Sequence, residues 1–192
     1  YLVFAKGRRE RLLHLNHEEE LLGRGISLCA TCDGAFYRGL DVMVVGGGSS
    51  AVSEALYLSN ICHHVYLVYR KSTLRAEDIL KKRLSLKENV TILYDEEILK
   101  YLYDEKKVTG VLLKSGKEIQ VAGIFLAVGS IPNSELFTGK KRDGYIIVDQ
   151  NGKSSIPDVY ACGDVISKEV YQLVTASHDG VMVASDIIKK CV

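Results

Sequence analysis

The chain has 192 residues, 47% of them hydrophobic, and carries 25 Lys and Arg against 24 Asp and Glu. So balanced a charge argues against the basic field that captures nucleic acid or an anionic membrane, and so much apolar content excludes a disordered composition. No apolar run reaches the ~18 to 20 residues of a bilayer-spanning helix, no signal peptide is expected, and the five cysteines are too few and scattered for a secreted disulfide scaffold. A reduced, cytoplasmic setting is therefore expected.

In chain order, residues Tyr1 to Ala5 read as a buried strand. The basic cluster Lys6-Gly7-Arg8-Arg9-Glu10-Arg11 reads as a solvated loop. Asp41 to Val45 is an apolar run ending in glycines, and Ser49 to Asn60 carries small and apolar residues at Ala51, Val52, Ala55, Leu56 and Leu58, which predicts strand, tight turn and helix. Val65 to Tyr69 repeats the strand signal. Arg75 to Glu88 repeats the helical one, with Ile79, Leu80, Arg83, Leu84 and Lys87 on or beside one face, and Val90 to Tyr94 is a third strand. This alternation implies a parallel sheet with right-handed crossovers. From Ile98 to Val128 the pattern turns to strands without helices, with turns near Asp104-Glu105-Lys106-Lys107 and Ser115-Gly116-Lys117, and predicts an antiparallel meander. Short strands follow at Tyr145 to Val148 and Val159 to Cys162. A last helix carries Val170, Leu173, Val174, Ser177, Val181, Ala184 and Ile188 on one stripe and ends in Lys189-Lys190, cations that suit a helix C-terminus.

Gly46-Gly47-Gly48-Ser49-Ser50-Ala51 fits G-x-G-x-x-A between a strand and a helix. In that context one glycine makes the turn, another lets the backbone approach a pyrophosphate, and the helix N-terminus offers free amides to its oxygens. An NAD site places Asp or Glu about 20 residues further on to hold the ribose. Here Arg70, Lys71 and Arg75 stand instead, Arg70 lying 24 positions past Gly46. A unit charge pair at ~4 Å is worth roughly 4 kcal/mol at an effective dielectric near 20, before desolvation, so these cations favour the 2′-phosphate of NADPH.

Cys29-Ala30-Thr31-Cys32 admits three readings. With His14 and His17 upstream it could form a tetrahedral zinc cage, although nothing else in the segment resembles a compact zinc fold and no metal site is expected. A structural disulfide closing so short a loop removes little denatured-state entropy. A redox-active pair is the better reading, with a thiolate stabilised as nucleophile and Asp33 placed to relay its proton. Asp33 also reads as a plain Asp-Gly turn former. Cys62, Cys162 and Cys191 read as small core hydrophobes or inert surface thiols.

Cys29-Ala30-Thr31-Cys32-Asp33-Gly34, Gly46 to Ala51, Arg70-Lys71 with Arg75, Ala127-Val128-Gly129 with Pro132-Asn133, and Gly163-Asp164-Val165 occur in the order and spacing of one family. Over nearly its whole length the chain resembles the low-molecular-weight thioredoxin reductases. The resemblance implies an α/β fold, a Rossmann-like NADPH-binding domain with parallel sheet and antiparallel meander, plus an incomplete FAD-binding domain. The expected domains are residues 1–28 (end of the first half of the FAD domain), 29–128 (NADPH and redox disulfide) and 129–192 (C-terminal part of the FAD domain). It further implies hydride transfer from NADPH to FAD, then reduction of the Cys29–Cys32 disulfide and of thioredoxin or a thioredoxin-like protein, in a homodimer. Asp33 becomes the acid/base, and Gly46, Gly48, Ser49, Ser50, Ala51, Arg70, Lys71 and Arg75 meet NADPH. Asp164 would meet the FAD ribityl and phosphate region, Val165, Tyr171, Gln172 and Leu173 would line the flavin, and Gly129 and Gly163 complete the cofactor contacts. Lys6, Tyr69, Tyr171 and His178 depart from the family pattern, where threonine, histidine, arginine and glycine are usual. The family's earlier glycine fingerprint for the FAD pyrophosphate has no counterpart here, so the chain is expected to be the C-terminal part of a longer reductase. Two alternatives remain: the flavoprotein subunit of an alkyl hydroperoxide reductase, and a non-catalytic NADPH-binding module.

Overall fold

The structure, a computed structural model, describes residues 1–105 and 107–191. Lys106, in the expected turn, and Val192, at the end of the expected last domain, lie outside the described residues. In chain order the elements are β1 (Leu2–Phe4), β2 (Arg8–Glu10), α1 (Glu18–Leu21), β3 (Ile26–Ser27), α2 (Ala30–Asp33), β4 (Asp41–Val45), α3 (Ser49–Leu58), β5 (His64–Tyr69), α4 (Asp78–Ser85) and β6 (Val90–Tyr94). There follow β7 (Ile98–Tyr103), β8 (Val108–Leu113), β9 (Glu118–Gln120), β10 (Gly123–Leu126), β11 (Ser130–Pro132), β12 (Lys141–Arg142), β13 (Tyr145–Ile146), β14 (Val159–Ala161) and α5 (Leu173–Cys191). They divide into two compact units, residues 11–129 and residues 1–10 with 130–192.

The unit of residues 11–129 is built on a five-stranded sheet in the order β3-β10-β4-β5-β6, every neighbouring pair parallel. The continuous apolar run of β4 has a simple cause: both faces of the sheet are covered. Val42 and Val44 pack with Ala51, Val52 and Ala55 of α3, whereas Met43 and Val45 pack with Tyr101, Val111 and Leu113 of a second sheet. That second sheet is the expected meander, antiparallel in the order β7-β8-β9. Strands buried on both faces lose the alternation that marks a half-solvated sheet. α4 is shorter than the predicted Arg75 to Glu88. Its packing rests on fully buried Leu84 and partly buried Leu80, while Ile79 stands exposed.

The unit of residues 1–10 and 130–192 holds three two-stranded pairings: β1 parallel to β14, β2 antiparallel to β11, and β12 antiparallel to β13. Its core gathers Phe137, Ile146, Ala161, Val165 and Ile166, and a smaller cluster joins Tyr160, Cys162 and Val183. Four expectations change here. β1 forms where predicted but is not buried, Leu2 and Val3 being exposed, because it pairs on one side only. The basic cluster contains the strand β2 rather than a loop, its carbonyls and amides taken up by β11. Of the predicted short strand Tyr145 to Val148, only Tyr145 and Ile146 are extended in a ladder. The predicted apolar stripe is not the side on which α5 packs within this unit: Val170 precedes the helix, and Leu173, Val174, Val181 and Ile188 are all exposed. The inward side is instead set by Val183, Asp186, Ile187 and Lys190, spaced as one helical face. The Tyr160 hydroxyl donates to Asp186 Oδ2 at 2.7 Å and accepts from Lys190 Nζ at 2.9 Å, which fixes that choice.

Candidate functional site

β3 ends at Ser27, and two residues later Cys29 caps the short helix α2 from an extended conformation. Cys29 and Cys32 are bonded to each other. The zinc reading fails on this point, since bonded sulfurs offer no pair of thiolates to an ion. The Cys32 amide lies 3.2 Å from Cys29 Sγ, and Thr31 Oγ1 lies 3.4 Å from it. Donors so placed stabilise negative charge on that sulfur once the pair is reduced. The Asp33 carboxylate accepts from Ser27 Oγ at 2.7 Å, so it does more than form a turn. Burial, helped by the charge of Asp33, holds the phenol of Tyr37 above the ordinary tyrosine range. Phe36, four residues past Cys32, is 80% exposed.

In the same unit the glycine turn links β4 to α3. At Gly46, where φ is +146°, a Cβ would stand 2.4 Å from the carbonyl oxygen of Ala127 and 2.9 Å from Ala51 Cβ, so strand and helix meet only through glycine and a small residue. Gly47 is closed off differently, its missing Cβ lying 2.4 Å from the Tyr69 ring. Gly48 has nothing within 4 Å of that position and no side chain caps the helix it opens. The first-turn amides at Ser49, Ser50 and Ala51 therefore face an open cradle that suits a phosphate. The turn after β5 is tied to this one by the Arg75 amide, which donates to the Gly47 carbonyl at 2.7 Å. Arg70, Lys71 and Arg75 are all exposed there, and among the described residues none of them forms a salt bridge. The residues present fit an NADPH-sized anion with its 2′-phosphate.

Gly129, with φ +98°, closes this unit and accepts from the Arg11 amide at 2.8 Å. The remaining predicted cofactor residues lie in the other unit. Gly163, with φ +73°, begins the turn that carries Asp164. Asp164 Oδ1 is buried without a hydrogen bond, although Lys168 Nζ at 3.4 Å balances its charge. An acceptor left in that state suits a flavin ribityl hydroxyl. Arg8 Nε stands 3.9 Å from Asp164 Oδ2, and its guanidinium lies 4.2 Å from the centre of the Tyr171 ring. Burial first, then the repulsion of Asp164, raises the Glu10 carboxyl, while Arg8 opposes both. Val165 is fully buried in the core, so its side chain is taken up there, whereas Gln172 and Leu173 are exposed. Lys168, which no motif flagged, joins Asp164 to Asp179, whose Oδ2 it meets at 2.8 Å.

A two-sheet nucleotide-binding unit that also carries a vicinal cysteine pair defines a class of dinucleotide-dependent disulfide oxidoreductases. Residues 1–180 match the model of the pyridine nucleotide-disulphide oxidoreductase family, and the chain belongs to that family. The thioredoxin reductase of Vibrio cholerae is 42% identical over 200 residues, covering 96% of this chain and 63% of that protein. A Pseudomonas fluorescens protein named glucosaminate ammonia-lyase is 40% identical over 200 residues, covering 96% of this chain and 62% of that protein. A solved thioredoxin reductase from Giardia duodenalis superposes with a TM-score of 0.83 at 33% identity, over 98% of this chain and 64% of that one. The resemblance read from the motifs is borne out. The chain spans about three fifths of the length of the curated relatives it matches, 63% in the Vibrio case.

Proposed function

We propose that the protein is an NADPH-dependent flavoprotein disulfide reductase whose substrate is thioredoxin or a protein of that fold. The observation that carries this reading is the bonded pair Cys29–Cys32, with Asp33 beside it, in the same unit as the uncapped glycine turn. Gly46, Gly48, Ser49, Ser50 and Ala51 take the pyrophosphate, and Arg70, Lys71 and Arg75 take the 2′-phosphate. Asp164 accepts a ribityl hydroxyl, with Gly129, Gly163, Val165, Tyr171, Gln172 and Leu173 completing the cofactor contacts. When bound, the nicotinamide and flavin supply two electrons. The chain's own part begins at the disulfide: two electrons and two protons break the Cys29–Cys32 bond and leave two thiols. One thiol gives its proton to Asp33 and attacks a sulfur of the substrate disulfide, forming a mixed disulfide. The second cysteine then displaces the substrate as its dithiol and restores the Cys29–Cys32 bond. The expected setting is cytoplasmic and the expected assembly a homodimer. Among the described residues no helix is long and apolar enough to cross a membrane.

The test is a visible spectrum of the purified protein with and without NADPH, followed by oxidised thioredoxin. A flavin absorbance that NADPH bleaches and thioredoxin restores supports the reading. A colourless protein that still binds NADPH would reduce it to a binding module. A protein active with ammonia release from an amino sugar acid, and indifferent to Cys29→Ser, would replace it.

A further inference from the structure

Ser27 lies at the end of β3, its backbone held in the parallel ladder opposite Phe125, and only 5% of it is exposed. Its Oγ donates to Asp33 Oδ2 at 2.7 Å and accepts the Cys29 amide at 3.1 Å. The competing acceptor, the Cys29 carbonyl, is 3.4 Å away, too long to hold the hydroxyl hydrogen against a carboxylate. Among the described residues Ser27 is the sole side-chain hydrogen-bond donor to Asp33. A carboxylate otherwise turns freely about its last bond, whose preference is broad and roughly two-fold. The short bond to Oδ2 removes that freedom and leaves Oδ1 without a side-chain donor among the described residues.

We propose that Ser27 is a positioning residue, which orients the Asp33 carboxylate to take the proton of the cysteine pair while it also fixes the Cys29 amide. This rests on the reading of Cys29 and Cys32 as the working pair and of Asp33 as their acid/base. A base misplaced by even ~1 Å loses much of its effect, so the hydroxyl acts on rate through Asp33 and not on its own account.

The test follows one balanced reaction on the reduced chain. A cysteine thiol gives its proton to Asp33 and attacks the disulfide of Ellman's reagent, releasing one thionitrobenzoate. The second cysteine then breaks the mixed disulfide, releasing another thionitrobenzoate and closing the Cys29–Cys32 bond. The reagent gains the two electrons that the dithiol loses, and the two protons pass to solvent. A Cys191→Ser background is used because Cys191 is exposed while Cys62 and Cys162 are buried. Asp33→Asn, which can still accept from Ser27 but cannot take the proton, is expected to slow the first release by about tenfold or more. Ser27→Ala should slow it several-fold, Ser27→Thr should restore it, and Ser27→Ala with Asp33→Asn should be no slower than Asp33→Asn alone. Acting through Asp33 requires that non-additivity. If Ser27→Ala instead slows both backgrounds by one common factor, or leaves the rate unchanged, the positioning role is overturned. If Asp33→Asn reacts as fast as its parent, the acid/base reading itself falls, and with it the proposal. Thermal unfolding of each variant shows that it is folded, and a Thr variant as slow as Ala also counts against the hydroxyl.

Discussion

Burial pushes the Cys62 thiol up from 9.0 to about 11, with Arg38 opposing and Asp41 adding to the shift. The fold thus prefers the neutral thiol, which an unfolded chain would begin to lose near pH 9. The stability this preference contributes is whole below pH 9 and disappears as pH rises through about 11. Denaturant midpoints of the parent and Cys62→Ala should therefore draw together between those limits, whereas a constant gap would show that the thiol ionises as easily folded as unfolded. Arg70→Ala or Arg75→Ala should raise the NADPH dissociation constant roughly tenfold, about 1.4 kcal/mol, and leave NADH nearly unaffected in calorimetry, because only the 2′-phosphate is lost as a partner. Equal losses for both nucleotides would show instead that the turn had been disturbed. The bonded cysteine pair is legible in sequence because its chemistry sits in four consecutive residues. Ser27 is not: no motif marks it until α2 folds back and sets Asp33 against it. Glu18 was hidden more deeply, since in the run Glu18-Glu19-Glu20 nothing marks one carboxylate as 2% exposed.

The burial of Glu18 is an event between elements. It accepts from the Leu13 and His14 amides at 3.0 and 2.6 Å and from the Tyr101 hydroxyl at 2.5 Å, so a residue of β7 pins the segment that leads into α1. Tyr101→Phe should cost about 1 to 3 kcal/mol by stripping a buried carboxylate of a donor, with amide exchange quickening at Leu13 and His14. A cost with no change at those two amides would put the loss elsewhere in β7. The glycine turn between β4 and α3 offers a sharper contrast. Gly46→Ala would drive a Cβ against the Ala127 carbonyl at a backbone angle that side chains rarely adopt, so it should lower stability as well as nucleotide binding. Gly48→Ala meets nothing in the protein and, at the N-cap of α3, should cost no more than about 1 kcal/mol, yet weaken NADPH through the phosphate space it fills. Were Gly48→Ala harmless to binding, the phosphate would lie elsewhere. Element type was legible wherever one covering layer imposed a period. For α5 it was not enough, because apolar residues occur on more than one of its faces and contacts distant in sequence, Tyr160 with Asp186 and Lys168 with Asp179, settle which is inward.

At the scale of the molecule, the three layers of residues 11–129 follow from one fact about β4 and β10: they are apolar on both faces, so helices and a second sheet must each cover one. The proposed pyrophosphate cradle then sits where that sheet passes into α3, and its occupation would be linked to the stability of the same unit. A ligand that binds only the folded state stabilises it by about 2.7 kcal/mol at one hundred times its dissociation constant. NADPH should therefore raise the melting temperature, and NADH at equal concentration should raise it less, because the Arg70, Lys71 and Arg75 cations gain nothing from a ribose without phosphate. Hydrogen exchange read on the NADPH complex should slow at the first-turn amides of α3 and around Arg75. If protection gathers only on residues 140–165 while the α3 amides exchange unchanged, the nucleotide has bound the wrong unit and the assignment of the glycine turn fails. If NADH and NADPH stabilise alike, the turn is a nucleotide cradle whose cations have no phosphate to read.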